Sequence, residues 1–321
     1  MTIRISLLIS LFFISLGVIA FSLLQGNTFI STQQLFAVFT GHGTPLSQQI
    51  VFFIRLPRTL SAFVIGGLLA LAGALMQVLL RNPLADPYIL GISGGAAITT
   101  LALLLLNVSG YWLTGGAWLG SLLSILILLV MTKTWNTQTL LLKGIAIASG
   151  FSALISLILL LSPEPILRGM LFWLVGDLSY AHLPLLESGI LIVSLLISLT
   201  LAPELNILIR GEKEAIALGV NHRNIQLKLY LLSSLLTAAA VTLGGCIGFV
   251  GLIVPHLFRL LSGYDHRYLL PGSVLLGGIL LTLANALSQT CCFPQELPVG
   301  IVMALIGIPI FLMLLQRKTA S

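Results

Sequence analysis

Charge is what this chain has least of. Lys, Arg, Asp and Glu together make up 7% of its 321 residues, against about 25% in an ordinary soluble domain. Residues 5–54 contain none of the four. With hydrophobic residues at 58%, that deficit excludes a soluble domain and makes the chain an integral membrane protein. Cysteine is scarce as well. Cys246, Cys291 and Cys292 have neither metal-ligand spacing nor the count of a disulfide framework, so they read as small packing residues. No Gly-Lys dipeptide occurs anywhere. The G-x-x-x-x-G-K-[ST] phosphate loop is therefore absent, and the chain cannot hydrolyse a nucleotide by that chemistry. There is no His-Glu-x-x-His run for a zinc protease, and Gly176-Asp177 lacks the preceding glycine of an intramembrane aspartyl protease. The reading is a non-enzyme. The net charge of +6 does not point to nucleic acid in so apolar a chain and is read as loop asymmetry instead.

What is present is a succession of apolar runs. At about 20 residues per span, the chain has room for roughly ten helices and almost no extramembrane domain. The expected fold is all-α, a single transmembrane domain over 1–321 with short interfacial and coupling helices. Ile5 to Leu24 is expected to be a retained first span, because no small-x-small cleavage site follows it. Ser31 to Thr40 reads as a short interfacial helix, broken at Gly41-His-Gly-Thr-Pro45. A second span, rich in Gly and Ala, is expected to open at Arg55-Leu-Pro-Arg58 and run to about Leu80. The turn Arg81-Asn-Pro-Leu-Ala-Asp-Pro87 leads into a third span headed by Gly91. Further spans are expected over about 111–132, 139–162, 183–206, 225–246, a short 249–262, 268–289 and 297–316, with an interfacial helix between Ser162 and Ala181. No internal repeat is visible.

Alternating loops sort the cations. With both termini cytoplasmic, twelve of the 15 Lys and Arg fall on that side and only Arg55, Arg58 and Arg168 on the other, as the positive-inside rule requires. Arg55 and Arg58 lie three apart and share one face if a helix starts at Arg55. They can snorkel to headgroups or meet an acidic docking partner. The longest polar stretch is Arg210 to Lys228, which holds six of the 24 charged residues. A helix over about 211–222, with Gly219 as its cap, is too short to cross a bilayer. It is either a solvated loop joining two spans or a surface helix that touches a partner.

Several motifs carry a family resemblance. Arg55-Leu-Pro-Arg58, Arg81-Asn-Pro-Leu-Ala-Asp-Pro-Tyr-Ile-Leu-Gly-Ile-Ser-Gly-Gly-Ala96, Gly248-Phe-Val-Gly-Leu-Ile-Val-Pro-His256 with Arg259, Asp265-His-Arg267 and Glu296-Leu-Pro-Val-Gly300 resemble the permease family of ABC importers for iron-siderophores, haem and cobalamin. The resemblance covers nearly the whole chain, in order. It implies a multi-pass subunit of the bacterial inner membrane, paired with a second copy or a paralogue around one path. It also implies two cytoplasmic ATPase subunits, which use the ATP, and a periplasmic substrate-binding protein above. The binding protein would be engaged by Arg55 and Arg58, while Gln289 stands where some relatives carry a further arginine. ATPase coupling would fall to Glu212, Lys213, Glu214, Ala215, Leu218, Gly219 and Arg223. A cytoplasmic gate would fall to Asn82 and Leu84 with Thr137 and Gln138. Lys143 is expected to reach for the cytoplasmic surface. No metal or other cofactor is expected on this chain.

Two other readings weigh less. An ion-driven carrier normally buries a carboxylate in mid-membrane, whereas all nine acids here fall near expected span ends. His256, a lone intramembrane histidine beside Pro255 with no second ligand at i+4, reads as a packing residue. Pro255 should kink or break its helix. The cargo implied by the resemblance is an iron-siderophore or haem complex, with cobalamin or an oxyanion as the alternative.

Overall fold

The computed structural model describes residues 2–319 except 27, 29, 133–136, 180, 210 and 293–294, and only the backbone at 2, 212, 213, 315 and 317–319. Every regular element among the described residues is helical. In chain order these are α1 Thr2–Leu24, α2 Thr32–Phe39, α3 Pro45–Gln49, α4 Leu56–Leu79, α5 Ile92–Leu105, α6 Tyr111–Met131, α7 Thr137–Leu161, α8 Glu164–Val175, α9 Leu185–Thr200, α10 Ala202–Leu208, α11 Glu212–Ala217, α12 His222–Gly244, α13 Val250–Ser262, α14 His266–Thr290 and α15 Val299–Thr319. Six of the described helical segments are long and apolar enough to cross a bilayer, and α9 with α10, bent by 63°, makes a seventh. Three shorter apolar helices, α5, α13 and the Val299–Leu314 part of α15, complete the ten expected segments. The expected interfacial helices are present as α2 and α8.

Local chemistry sets the helix starts. Ser31 caps α2 through a reciprocal pair, its Oγ accepting from Gln34 N–H while Gln34 Oε1 accepts from Ser31 N–H at 2.9 Å. Thr44 caps α3 and Pro45 stands in its first turn. From there the chain does not break. A π-helical stretch, Ile50–Arg55, joins α3 to α4, giving one 35-residue helix from Pro45 to Leu79. The second span therefore opens ten residues before Arg55, a correction to the expected start. The reason is physical: Thr44-Pro45 is the only start signal nearby, and Pro57 follows a residue already in helical conformation.

This long helix is the axis of the molecule. In its best spanning window 94% of residues are buried, against 6% in α7. It packs on α14, α12 and α13, and glycines set the distances. A Cβ placed on Gly66 would lie 2.2 Å from the Gly277 carbonyl oxygen of α14, and one on Gly73 would lie 1.9 Å from the Gly251 oxygen of α13. Backbones meet there, which is how helices gain packing in lipid without a hydrophobic drive.

Of the two expected outcomes, Pro255 does not break α13, and it is buried within it. A proline leaves the carbonyl four residues earlier without a donor. Here that carbonyl, Gly251, accepts from Gln77 Nε2 of α4 at 3.4 Å, and Leu252 accepts from the same amide at 3.2 Å. The neighbour supplies what the proline removes. Lys143 likewise finds a definite place, donating from Nζ to the Met131 carbonyl at the end of α6, where a cation also suits the helix dipole.

Gly66→Ala should lower the midpoint of thermal unfolding in detergent by the equivalent of about 1–3 kcal/mol. Gly17→Ala, where nothing stands within 4 Å of the added methyl, should leave it unchanged or raise it.

Candidate functional site

Two ends of the helical body carry the candidate residues. At one end, between α10 and α12, lies α11. It is six residues long, Glu212–Ala217, and its C-terminus is closed by a paired motif. Val220 N–H donates to the Ala215 carbonyl at 2.9 Å and Gly219 N–H to Ile216 at 3.0 Å, with Gly219 in the left-handed region at φ +79°. This is the Schellman arrangement, and glycine fits it because no Cβ opposes that φ. Ala215 is fully buried and anchors the helix, whereas Ile216 and Leu218 are 59% and 62% exposed. Glu214, Gly219 and Arg223 are exposed around them. The side chains of Glu212 and Lys213 lie outside the described residues. The result is an apolar tip with a polar rim, held out on a rigid cap.

On the same end, α4 gives way to the turn at 81–86. Asn82 Oδ1 accepts from Leu84 N–H at 3.0 Å, an Asx turn that fixes the backbone locally. Asn82 is exposed and Leu84 half-buried, as is Thr137 at the start of α7, while Gln138 is exposed. The helix α7 meets the Pro87–Leu90 turn two turns further on, at Gly144, where a Cβ would lie 2.9 Å from the Ile89 oxygen.

At the opposite end, the two arginines face inward. Arg55 is 5% and Arg58 is 6% exposed. Arg55 Nη1 donates to the Leu23 carbonyl at 2.8 Å and Nη2 to the Thr28 carbonyl and hydroxyl. It thus closes the end of α1 against α4, and leaves so little room that a Cβ on Gly26 would lie 2.9 Å from its Nη2. Arg58 Nε donates to Asn285 Oδ1 of α14 at 2.9 Å, and Nη1 pairs with Glu296 Oε2 at 2.5 Å. Gln289 Nε2 donates to the Asn285 carbonyl at 3.2 Å. The expectation of a helix that starts at Arg55 is corrected. Because the helix starts at Pro45, both residues lie inside the packed bundle. Of this cluster, the Glu296 side chain reaches the surface, at 31% exposure against 7% for Arg58.

A family model described as the FecCD transport family matches residues 11–317. The chain belongs to that family, the permease family of ABC importers. It is 42% identical over 276 residues to the hemin transport system permease protein HmuU of Yersinia pestis, covering 83% of this chain and 82% of that protein. It is 40% identical over 286 residues to the vitamin B12 import system permease protein BtuC of Vibrio cholerae, covering 86% and 85%. Among solved structures, a chain of an inward-facing ABC transporter assigned to the metal-chelate type superposes with a TM-score of 0.86 at 32% identity, covering 98% of this chain and 99% of the other.

Within this FecCD permease, the partners of Arg58 were not legible from the sequence. Asn285 and Glu296 stand 227 and 238 residues away, and only the packing of α4 on α14 brings them near. The same holds for Glu187. It sits in the first turn of α9, yet is 2% exposed. Its position near a span end was readable, its burial was not.

Arg55→Met should loosen the junction of α1 with α4 by removing donors from the Leu23 and Thr28 carbonyls. Amide hydrogen exchange should accelerate over residues 22–28 while exchange in α11 and α12 stays unchanged. Arg58→Met should cost about 1–3 kcal/mol of stability, the typical penalty for leaving buried polar groups without a partner.

Proposed function

We propose that this FecCD permease is the membrane subunit of an ATP-driven importer for a metal chelate, an iron-siderophore or haem complex, in the bacterial inner membrane. The observation that carries the reading is α11. A short helix presenting exposed Ile216 and Leu218 on a Schellman cap has no use for those side chains within its own chain. Uptake against a gradient needs an energy source, and the sequence lacks a phosphate loop. A separate ATPase must supply the work, and α11 is the contact offered to it. Ile216 and Leu218 enter a cleft on the ATPase, while Glu212, Lys213, Glu214 and Arg223 form the rim. Ala215 and Gly219 keep the lever stiff. Nucleotide binding draws two ATPases together, moves this lever, and tilts the spans as rigid bodies.

The same proposal places α11 and both termini in the cytoplasm, in keeping with the positive-inside count. A second copy or a paralogue completes the path. The little-buried helix α7 is the surface offered to it, with Ser149, Gly150 and Ser152 exposed. Asn82 and Leu84, with Thr137 and Gln138, form the cytoplasmic gate. A periplasmic binding protein docks at the opposite end. There Arg58 reaches an acidic partner by exchanging Glu296, and Arg55 contributes by holding the Thr28 loop in place. Haem or an iron-siderophore is favoured by the likeness to the hemin permease, and cobalamin is the second reading because the likeness to the B12 permease is nearly as strong.

Reconstituted with its ATPase and binding protein, the permease should accumulate labelled haem or ferric siderophore in vesicles only when ATP is present. Uptake driven by a proton or sodium gradient without the ATPase would refute the reading. Ile216→Asp with Leu218→Asp should weaken ATPase binding by more than about 30-fold, the scale of a buried hot spot. The fold should survive, because both side chains are already exposed.

A further inference from the structure

A second polar feature, independent of the transport reading, lies at the α11 end of the molecule. The ends of α4, α10 and α13 border a half-open cavity of about 140 Å³ lined by Gln77, Val78, Arg81, Pro83, Ile209, Arg259 and Tyr264. That is several times the roughly 30 Å³ share of one water. Two arginines line it, and none of the described lining residues is acidic. Arg259 is held in place rather than neutralised. Its Nη2 donates to Gln77 Oε1 at 2.8 Å, and its guanidinium lies 5.8 Å from the centroid of the Tyr264 ring. Its Nε, a donor buried from solvent, has no hydrogen-bond partner. A buried donor without an acceptor is costly, so this guanidinium keeps unmet hydrogen-bonding capacity beside the cavity.

Arg81 gives an independent argument. The end of α4 is closed by the same Schellman pairing as α11, with Asn82 N–H donating to the Gln77 carbonyl at 3.1 Å and Arg81 N–H to Val78 at 3.2 Å. The left-handed position in that motif belongs by preference to glycine, yet here Arg81 occupies it at φ +48°. A side chain kept where its backbone is strained argues for a use of that side chain. Its Nη2 lies 3.3 Å from His222 Nε2, and Arg81 is one of the residues lining the cavity.

The surroundings identify the source of the anion. Leu260 and Leu261, next to Arg259, are 60% and 63% exposed, and Tyr264 is 67% exposed. Bare leucines followed by an aromatic residue with a polar tip mark the boundary between hydrocarbon and headgroups. We propose that Arg81 and Arg259, aided by Gln77 and Tyr264, form a site for a phosphate group, supplied by the headgroup of an anionic phospholipid in the leaflet next to α11.

Native mass spectrometry of the purified permease, titrated with phosphatidylglycerol, tests this. Arg81→Gly should retain about fivefold less lipid than the unchanged protein, since each basic residue near a membrane surface adds appreciably to such binding. The same variant should unfold at a higher temperature, because glycine relieves the left-handed strain. Loss of lipid with a gain in stability cannot come from misfolding. Arg259→Lys, which keeps the charge but loses the fork, should also reduce retention. If inorganic phosphate displaces the lipid and stabilises the protein by itself, the phosphate site stands and a free anion also fills it. Equal retention by the unchanged protein and both variants, or equal retention of phosphate-free diacylglycerol, would overturn the proposal.

Discussion

In hydrocarbon a backbone polar group finds no water, so each must be satisfied within the protein. The contact of α4 with α13 shows how this structure meets that demand. Gly73 lets the two backbones approach, Pro255 frees a carbonyl on α13, and Gln77 of α4 reaches across to donate to it. The same glutamine then holds Arg259. One side chain thus links the core packing of the bundle to the polar groups at its α11 end. Were α4 displaced, the freed carbonyl, the arginine and the turn at 81–86 would all lose their positions together.

The two ends of α4 are built on different principles. At the Arg58 end, the arginine side chains are turned inward and pair across long sequence separations, and Glu296 reaches the surface. At the other end, apolar side chains are turned outward on α11, against the ordinary tendency to bury them. The outward apolar side chains cost stability in the isolated chain, and on the proposed reading this is offset on assembly, where Ile216 and Leu218 are covered by the ATPase. The exposed surface of α7 follows the same logic along the membrane plane. A helix that buries almost nothing within its own chain is left for lipid or for a second permease.

The Schellman caps at Gly219 and Arg81 show how one motif serves two purposes. In α11 a glycine takes the left-handed position at no steric cost, and the cap only stiffens the lever. At the end of α4 an arginine takes it and accepts strain. The hydrogen bonds of the two motifs are alike, so the difference lies in what the side chain is needed for.

The sequence by itself determined the class, the number of apolar segments and the place of α11, because these depend on composition, run length and local capping residues. Gly219 was readable as a cap for that reason. It also carried the family, through motifs such as Arg81 to Ala96 that are continuous along the chain. It misplaced the start of the second span, because a π-helical stretch leaves no pattern in residue types. It could not show what meets the carbonyl that Pro255 frees, because that amide lies 174 residues away in Gln77. Burial of Arg55 and Arg58, the pairing with Asn285 and Glu296, and the meeting of Arg81 with Arg259 were decided only when α4 packed against its neighbours. Such contacts depend on which helix faces meet, and a period of 3.6 residues names a face without naming its partner.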